Sequence, residues 1–91
     1  MKNFQIWEHR RFITDITHTY NDEFELVDEV LAIDYKNYHA WSYRAWLAEK
    51  EKNWLEELLK IDKYIHEDEN NNSAWSYRFY LVKEYIKQQP E

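Results

Sequence analysis

Cysteine and glycine are both missing from this sequence, and its one proline, Pro90, is the residue before the last. Without cysteine there are no disulfides, no thiolate zinc sites and no thiol nucleophile, so a metal would have to rest on histidine and carboxylates. Without glycine there is no Gly-rich phosphate-cradling loop. No eighteen apolar residues follow one another, and the start, Met1-Lys2-Asn3-Phe4-Gln5-Ile6-Trp7, lacks the unbroken apolar stretch of a signal peptide. Basic residues are in the minority: 12 Lys and Arg stand scattered against 18 Asp and Glu, a formal charge of −6. Nucleic-acid phosphates bind clustered cations, so the balance argues against a nucleic-acid partner. A soluble cytoplasmic protein without a membrane span is the expectation.

Aromatic residues are plentiful instead, at 19% of the chain with five Trp and eight Tyr. Ninety-one residues form at most one domain, and a core of that size is marginal. Burying one Trp or Tyr removes roughly 150–250 Å² from water, worth roughly 4–6 kcal/mol before ordering entropy is subtracted. This many rings brings a core within reach.

The rings are periodic. Trp7, Trp41 and Trp75 stand 34 residues apart, and the same period aligns Asn3, Asn37 and Asn71, then Arg10, Arg44 and Arg78, then Phe12, Trp46 and Tyr80. That length holds two short antiparallel helices and two turns, the unit of a helix-turn-helix solenoid. The expected fold is all-α, an α-α superhelix of 34-residue hairpins in a right-handed solenoid. Within the single domain 1–91, repeat 1 spans 1–34, repeat 2 spans 35–68, and 69–91 supplies the first helix of a third.

Helix one is expected to follow a cap at Asn3 and end near Asp15, with polar, β-branched Thr14 to Asn21 as a loop. Helix two should open near Asp22 with Glu25 as capping-box partner, burying Phe24, Val27, Val30 and Leu31. After an Asp34-to-Asn37 turn, Asn37 caps helix three, whose Trp41, Arg44, Ala45 and Ala48 share a face. Asn53 to Glu56 repeats the capping-box pattern and opens helix four, striped by Trp54, Leu58, Ile61 and Ile65. Helix five carries Trp75, Arg78, Phe79, Val82 and Ile86 until Pro90 stops it. The outer faces of helices one and five should expose apolar surface suited to self-association or a partner.

Residues that return at the period serve what each unit needs, which is packing. Trp7, Trp41 and Trp75 are therefore read as core, and Arg10, Arg44 and Arg78 as structural, pairing with helix-end carboxylates such as Asp34 or Asp68. The residues that break the period gather in the first turns of helices one and three: Lys2, Phe4 and Gln5, then Lys36, Tyr38 and His39. If these helices run parallel, the first turns share an edge, where free N–H groups and dipoles suit a phosphate or carboxylate. Ordinary solvated helix starts are the plainer reading. His39 has no His or carboxylate at the spacing of a helical metal site; Asp62 and His66 have that spacing but no third ligand nearby, so no metal is expected on this chain.

The lack of glycine argues against an ordinary tetratricopeptide repeat. The Trp-x-x-Arg core preceded by Asn, in Lys2-Asn3-Phe4-Gln5-Ile6-Trp7-Glu8-His9-Arg10-Arg11, Lys36-Asn37-Tyr38-His39-Ala40-Trp41 and Asn71-Asn72-Ser73-Ala74-Trp75, resembles the repeat of protein prenyltransferase α subunits. The likeness runs from Lys2 to about Tyr85 and is to the α subunit shared by farnesyltransferase and geranylgeranyltransferase type I. Trp-Ser-Tyr-Arg, at Trp41 to Arg44 and Trp75 to Arg78, leans towards the Rab geranylgeranyltransferase α subunit, and Asn-Tyr-His-Ala-Trp leans away from it.

The resemblance implies a crescent of helical hairpins around a β subunit that carries zinc and most of the prenyl pocket, with magnesium serving the complete enzyme. The pair transfers an isoprenoid from its diphosphate to the cysteine of a Cys-a-a-X box. Lys2 and Tyr38 fall on positions that approach the diphosphate, His39 beside them, and Gln5 on the position that bonds the peptide's terminal carboxylate. Phe4 stands where the family has a tyrosine, which removes one hydroxyl. The family's α subunits carry more repeats on both sides, so this chain reads as an excised fragment or a reduced relative, inactive alone and without a cofactor of its own. The competing reading is a stand-alone helical-repeat adaptor that binds a protein and leaves Lys2, Tyr38 and His39 idle.

Overall fold

A computed structural model describes residues 3–89, with side chains from Gln5 onward. Among these residues there are five helices and no strand: α1 (Asn3–Thr17), α2 (Tyr20–Ile33), α3 (Tyr38–Glu51), α4 (Trp54–Glu67) and α5 (Asn72–Gln88). The all-α helical-repeat class expected from the sequence is the class observed. The chain forms two compact units, one up to Glu51 and one from Lys52.

In the first unit, α2 and α3 pack most extensively, and α1 lies against both. Phe24, Val27 and Leu31 on α2 and Ala40, Tyr43, Arg44 and Leu47 on α3 are buried. Contacts fall in value along one helix as they rise along the other: Tyr20 meets Trp46 with rings 5.6 Å apart, and Asp28 meets Arg44 at 2.7 Å. The hairpin is antiparallel. Between α1 and α3 the contacts rise together, from Trp7 on Tyr43 to Asp15 near Lys50, so these two helices run parallel.

The second unit is the hairpin of α4 and α5, burying Trp54, Glu57, Ile61 and Ile65 on one helix and Ala74, Tyr77 and Leu81 on the other. The tight pairs are thus α2–α3 and α4–α5, each running from the second helix of one sequence repeat into the first of the next. A periodic chain can be divided at either phase.

Both hairpins are tied by the same bonds. Tyr43 Oη donates to Glu23 at 2.7 Å and Tyr77 Oη to Glu57 at 2.6 Å. Trp41 Nε1 donates to the Tyr35 carbonyl at 2.7 Å and Trp75 Nε1 to that of Glu69 at 2.9 Å. In the interhelix turns, Asp34 accepts from the Lys36 amide at 3.3 Å and Asp68 from the Asn70 amide at 3.0 Å. Asn37 and Asn71 accept from the amides of Ala40 and Ala74, both at 3.1 Å. Each Asn closes one orphan donor of its helix, as the sequence led us to expect for Asn37.

Several expectations are corrected. Thr14 to Asn21 is not a loop: α1 runs to Thr17, α2 starts at Tyr20, and only His18 and Thr19 link them. Thr14 stays helical because it is buried and shares a 2.9 Å hydrogen bond with Tyr43 Oη, a tertiary contact that outweighs its propensity. The link turns through His18 at φ 58°, and one period later the α3–α4 link turns through Lys52 at φ 54°, both in the left-handed region that glycine usually fills. No capping box opens α2 or α4, since neither Thr19 nor Asn53 makes a side-chain cap bond. On α5 the face packed against α4 is Ala74, Tyr77 and Leu81, whereas Trp75, Phe79 and Ile86 are exposed. The cap expected of Asn3 rests on a side chain outside those described.

Candidate functional site

The parallel course of α1 and α3 brings their first turns to one end of the first unit. Tyr38 opens α3 and is 75% exposed; its ring meets the half-buried His39 edge-on at 5.5 Å between centroids. Lys36, in the turn before, sets its ammonium 5.7 Å from the Tyr35 ring centroid. Gln5 is exposed in the first turn of α1. The α1–α3 register puts it at the level of the start of α3. Lys2 and the Phe4 side chain lie outside the described residues.

The electrostatics of this end differ from those of the opposite end. Neither α1 nor α3 carries an acidic residue in its first turn, whereas α2 begins with Asp22 and Glu23. The helix N-termini at the candidate edge are therefore not neutralised by their own first-turn carboxylates, which suits an incoming anion.

The arginine series is structural in detail as well as in outline. Arg44 is fully buried and donates to Asp28 at 2.7 Å; Arg78 donates to Asp62 at 2.9 Å. The carboxylates met are Asp28 and Asp62, not the expected Asp34 and Asp68, because they sit on the helix face opposite the arginine, while Asp34 and Asp68 turn to backbone amides. Arg10 makes a two-point pair with Glu23, at 2.6 and 3.0 Å, and that hydrogen-bonded charge raises its pKa. Glu23 also holds Tyr43, whose hydroxyl is pushed up to about 12, first by burial, with the Glu23 bond adding and the Thr14 bond opposing. Sequence reasoning missed the Tyr–Glu and Arg–Asp ties, although Glu23 and Glu57, Asp28 and Asp62, Tyr43 and Tyr77 recur at the same period as the tryptophans.

Of the tryptophans read as core, Trp7 and Trp41 are buried and Trp75 is 46% exposed. Trp75 keeps its N–H bond to a turn carbonyl, but lies off the α5 face that packs on α4. Among the described residues no three of His, Asp and Glu gather in a group able to hold a metal ion, and Asp62 is engaged by Arg78. No helix there is long and apolar enough to cross a membrane.

No individually curated protein matches the chain. A family model for the protein prenyltransferase alpha subunit repeat matches residues 20–51 and 54–85, which are the two tightly packed hairpins taken from the first residue of α2 and of α4. The repeat read from the indoles and the pairing of helices thus meet in one conclusion: the chain belongs to the protein prenyltransferase alpha subunit repeat family.

Proposed function

We propose that the chain acts as a segment of the α subunit of a protein prenyltransferase of the farnesyltransferase or geranylgeranyltransferase type I kind, in the cytoplasm. In this reading it scaffolds the zinc-bearing β subunit and contributes an edge to the prenyl diphosphate and the Cys-a-a-X peptide. The observation that carries the reading is the gathering of two helix starts, free of first-turn carboxylates, with Gln5, Tyr38 and His39 at one end of the first unit. The chemistry is electrostatic. The Tyr38 hydroxyl and His39 donate to diphosphate oxygens, Lys2 offsets the charge that builds as the diphosphate leaves, and the Gln5 amide bonds the peptide's terminal carboxylate. None of these groups attacks the substrate, and the chain alone is inactive.

Co-expression with a prenyltransferase β subunit tests this. A stable heterodimer that transfers an isoprenoid is expected, with Lys2→Ala and Tyr38→Phe each lowering transfer while leaving the heterodimer intact. Unchanged rates in both variants remove the edge from the mechanism. A second reading, a helical-repeat adaptor without a catalytic role, is favoured by the exposed row Trp75, Phe79 and Ile86 on α5. It predicts that the chain stays free of the β subunit.

A further inference from the structure

Within the first unit, the contact between α1 and α3 is well defined. Trp7 lies on Tyr43 with ring centroids 5.1 Å apart, and the Arg11 guanidinium stands 5.6 and 5.9 Å from the rings of Tyr43 and Trp46. Thr14 bonds Tyr43 Oη at 2.9 Å, and Asp15 lies 3.8 Å from Lys50. One side of the contact is thus Trp7, Arg11, Thr14 and Asp15, and the other is Tyr43, Trp46 and Lys50.

The period gives each side an equivalent elsewhere in the chain. Two periods after the α1 set come Trp75, Phe79, Val82 and Lys83 on α5; one period before the α3 set come His9, Phe12 and Ile16 on α1. These equivalents form open faces. Phe79 is 70% exposed with Lys83 Nζ 5.9 Å from its ring centroid, and Ile86, two turns beyond Phe79, is 64% exposed. Phe12 and Ile16 are 63% and 60% exposed. Three of the substitutions exchange a polar side chain for an apolar one: Phe79 replaces Arg11, Val82 replaces Thr14, and Ile16 replaces Lys50. Trp75 and Phe12 keep aromatic rings, while His9 in place of Tyr43 and Lys83 in place of Asp15 keep polar groups; the three gained apolar side chains, beside the retained rings, are the pattern of a surface made to be covered.

We propose that α5 of one molecule docks on α1 of a second copy, repeating the α1–α3 contact between molecules, so that the chain associates head to tail. The two faces lie on different helices, so the contact is heterologous and each added copy leaves one face of each kind free. Association therefore does not stop at two.

Sedimentation velocity on the wild-type chain, on Phe79→Glu, on Phe12→Glu and on an equimolar mixture of the two variants tests this, with circular dichroism checking that each remains helical. The wild type is expected to grow beyond the dimer with concentration, and each variant alone to be monomeric. The mixture should form dimers and nothing larger, since the intact α5 of Phe12→Glu meets the intact α1 of Phe79→Glu. A wild type that is monomeric throughout, a mixture that stays monomeric, or a Phe12→Glu chain that still pairs with itself through α5 overturns the proposal.

Discussion

The Tyr77 hydroxyl donates to the Glu57 carboxylate at 2.6 Å, joining α5 to α4 where Glu57 is fully buried. A buried carboxylate deprived of a donor retains its desolvation penalty, and hydrogen bonds to charged groups contribute about 1.5–3 kcal/mol. Tyr77→Phe is expected to lower the stability of the chain by that amount in urea denaturation. A loss below about 0.5 kcal/mol would show that the bond is incidental to the hairpin.

His18 and Lys52 hold left-handed backbone at φ 58° and 54° in a chain without glycine. A non-glycine residue there costs roughly 1–2 kcal/mol, against roughly 0.5–1 kcal/mol for the extra freedom glycine has when unfolded. Lys52→Gly and His18→Gly should each raise stability by about 0.5–1 kcal/mol, read as a higher urea midpoint at unchanged m-value. A lower midpoint would mean that the replaced side chains do more than occupy the turn.

Asn71 caps α5 through the Ala74 amide, whereas Asn53, at the start of α4, makes no cap bond and its Oδ1 is buried without a partner. Asn71→Ala is therefore expected to cost about 1–2 kcal/mol, and Asn53→Ala to be neutral or slightly stabilising, since it removes an unsatisfied acceptor. Equal losses at the two sites in thermal melts would contradict the difference.

Tyr43 has its hydroxyl pushed up to about 12, so the folded chain holds this proton over a range where the unfolded chain, near 10, has released it. The stability this group contributes is fully present below about pH 10 and declines as pH rises towards about 12. Tyr20, raised by its bond to Asp15, acts in the same direction. In Tyr43→Phe the alkaline decline in unfolding free energy should be shallower than in the wild type, although its stability at neutral pH is lower. An unchanged slope would assign the decline to other groups.

Much of the fold was legible because indoles recur at the length of a hairpin, and because Asn37 and Asp34 mark a turn by their own chemistry. The α1–α2 link was misread because Thr14 has poor helix propensity, and its buried bond to Tyr43 comes from a residue far along the chain. The arginine partners were missed because the reading looked to the turn carboxylates Asp34 and Asp68, whereas Arg44 and Arg78 sit mid-helix and meet Asp28 and Asp62 across the hairpin. At the candidate edge, the common end for Gln5, Tyr38 and His39 could be read from the period, since equivalent helices run parallel. A ligand for those groups could not, because the period fixes where side chains stand and not what they meet.

Each hairpin closes its Tyr–Glu, Arg–Asp, Trp–carbonyl and Asn-cap bonds inside its own stretch of chain. Cutting or duplicating the gene at the links that flank 20–51 and 54–85 should therefore leave every one of these groups with its native mate. A cut inside either stretch would strand them, so this architecture changes length by whole modules.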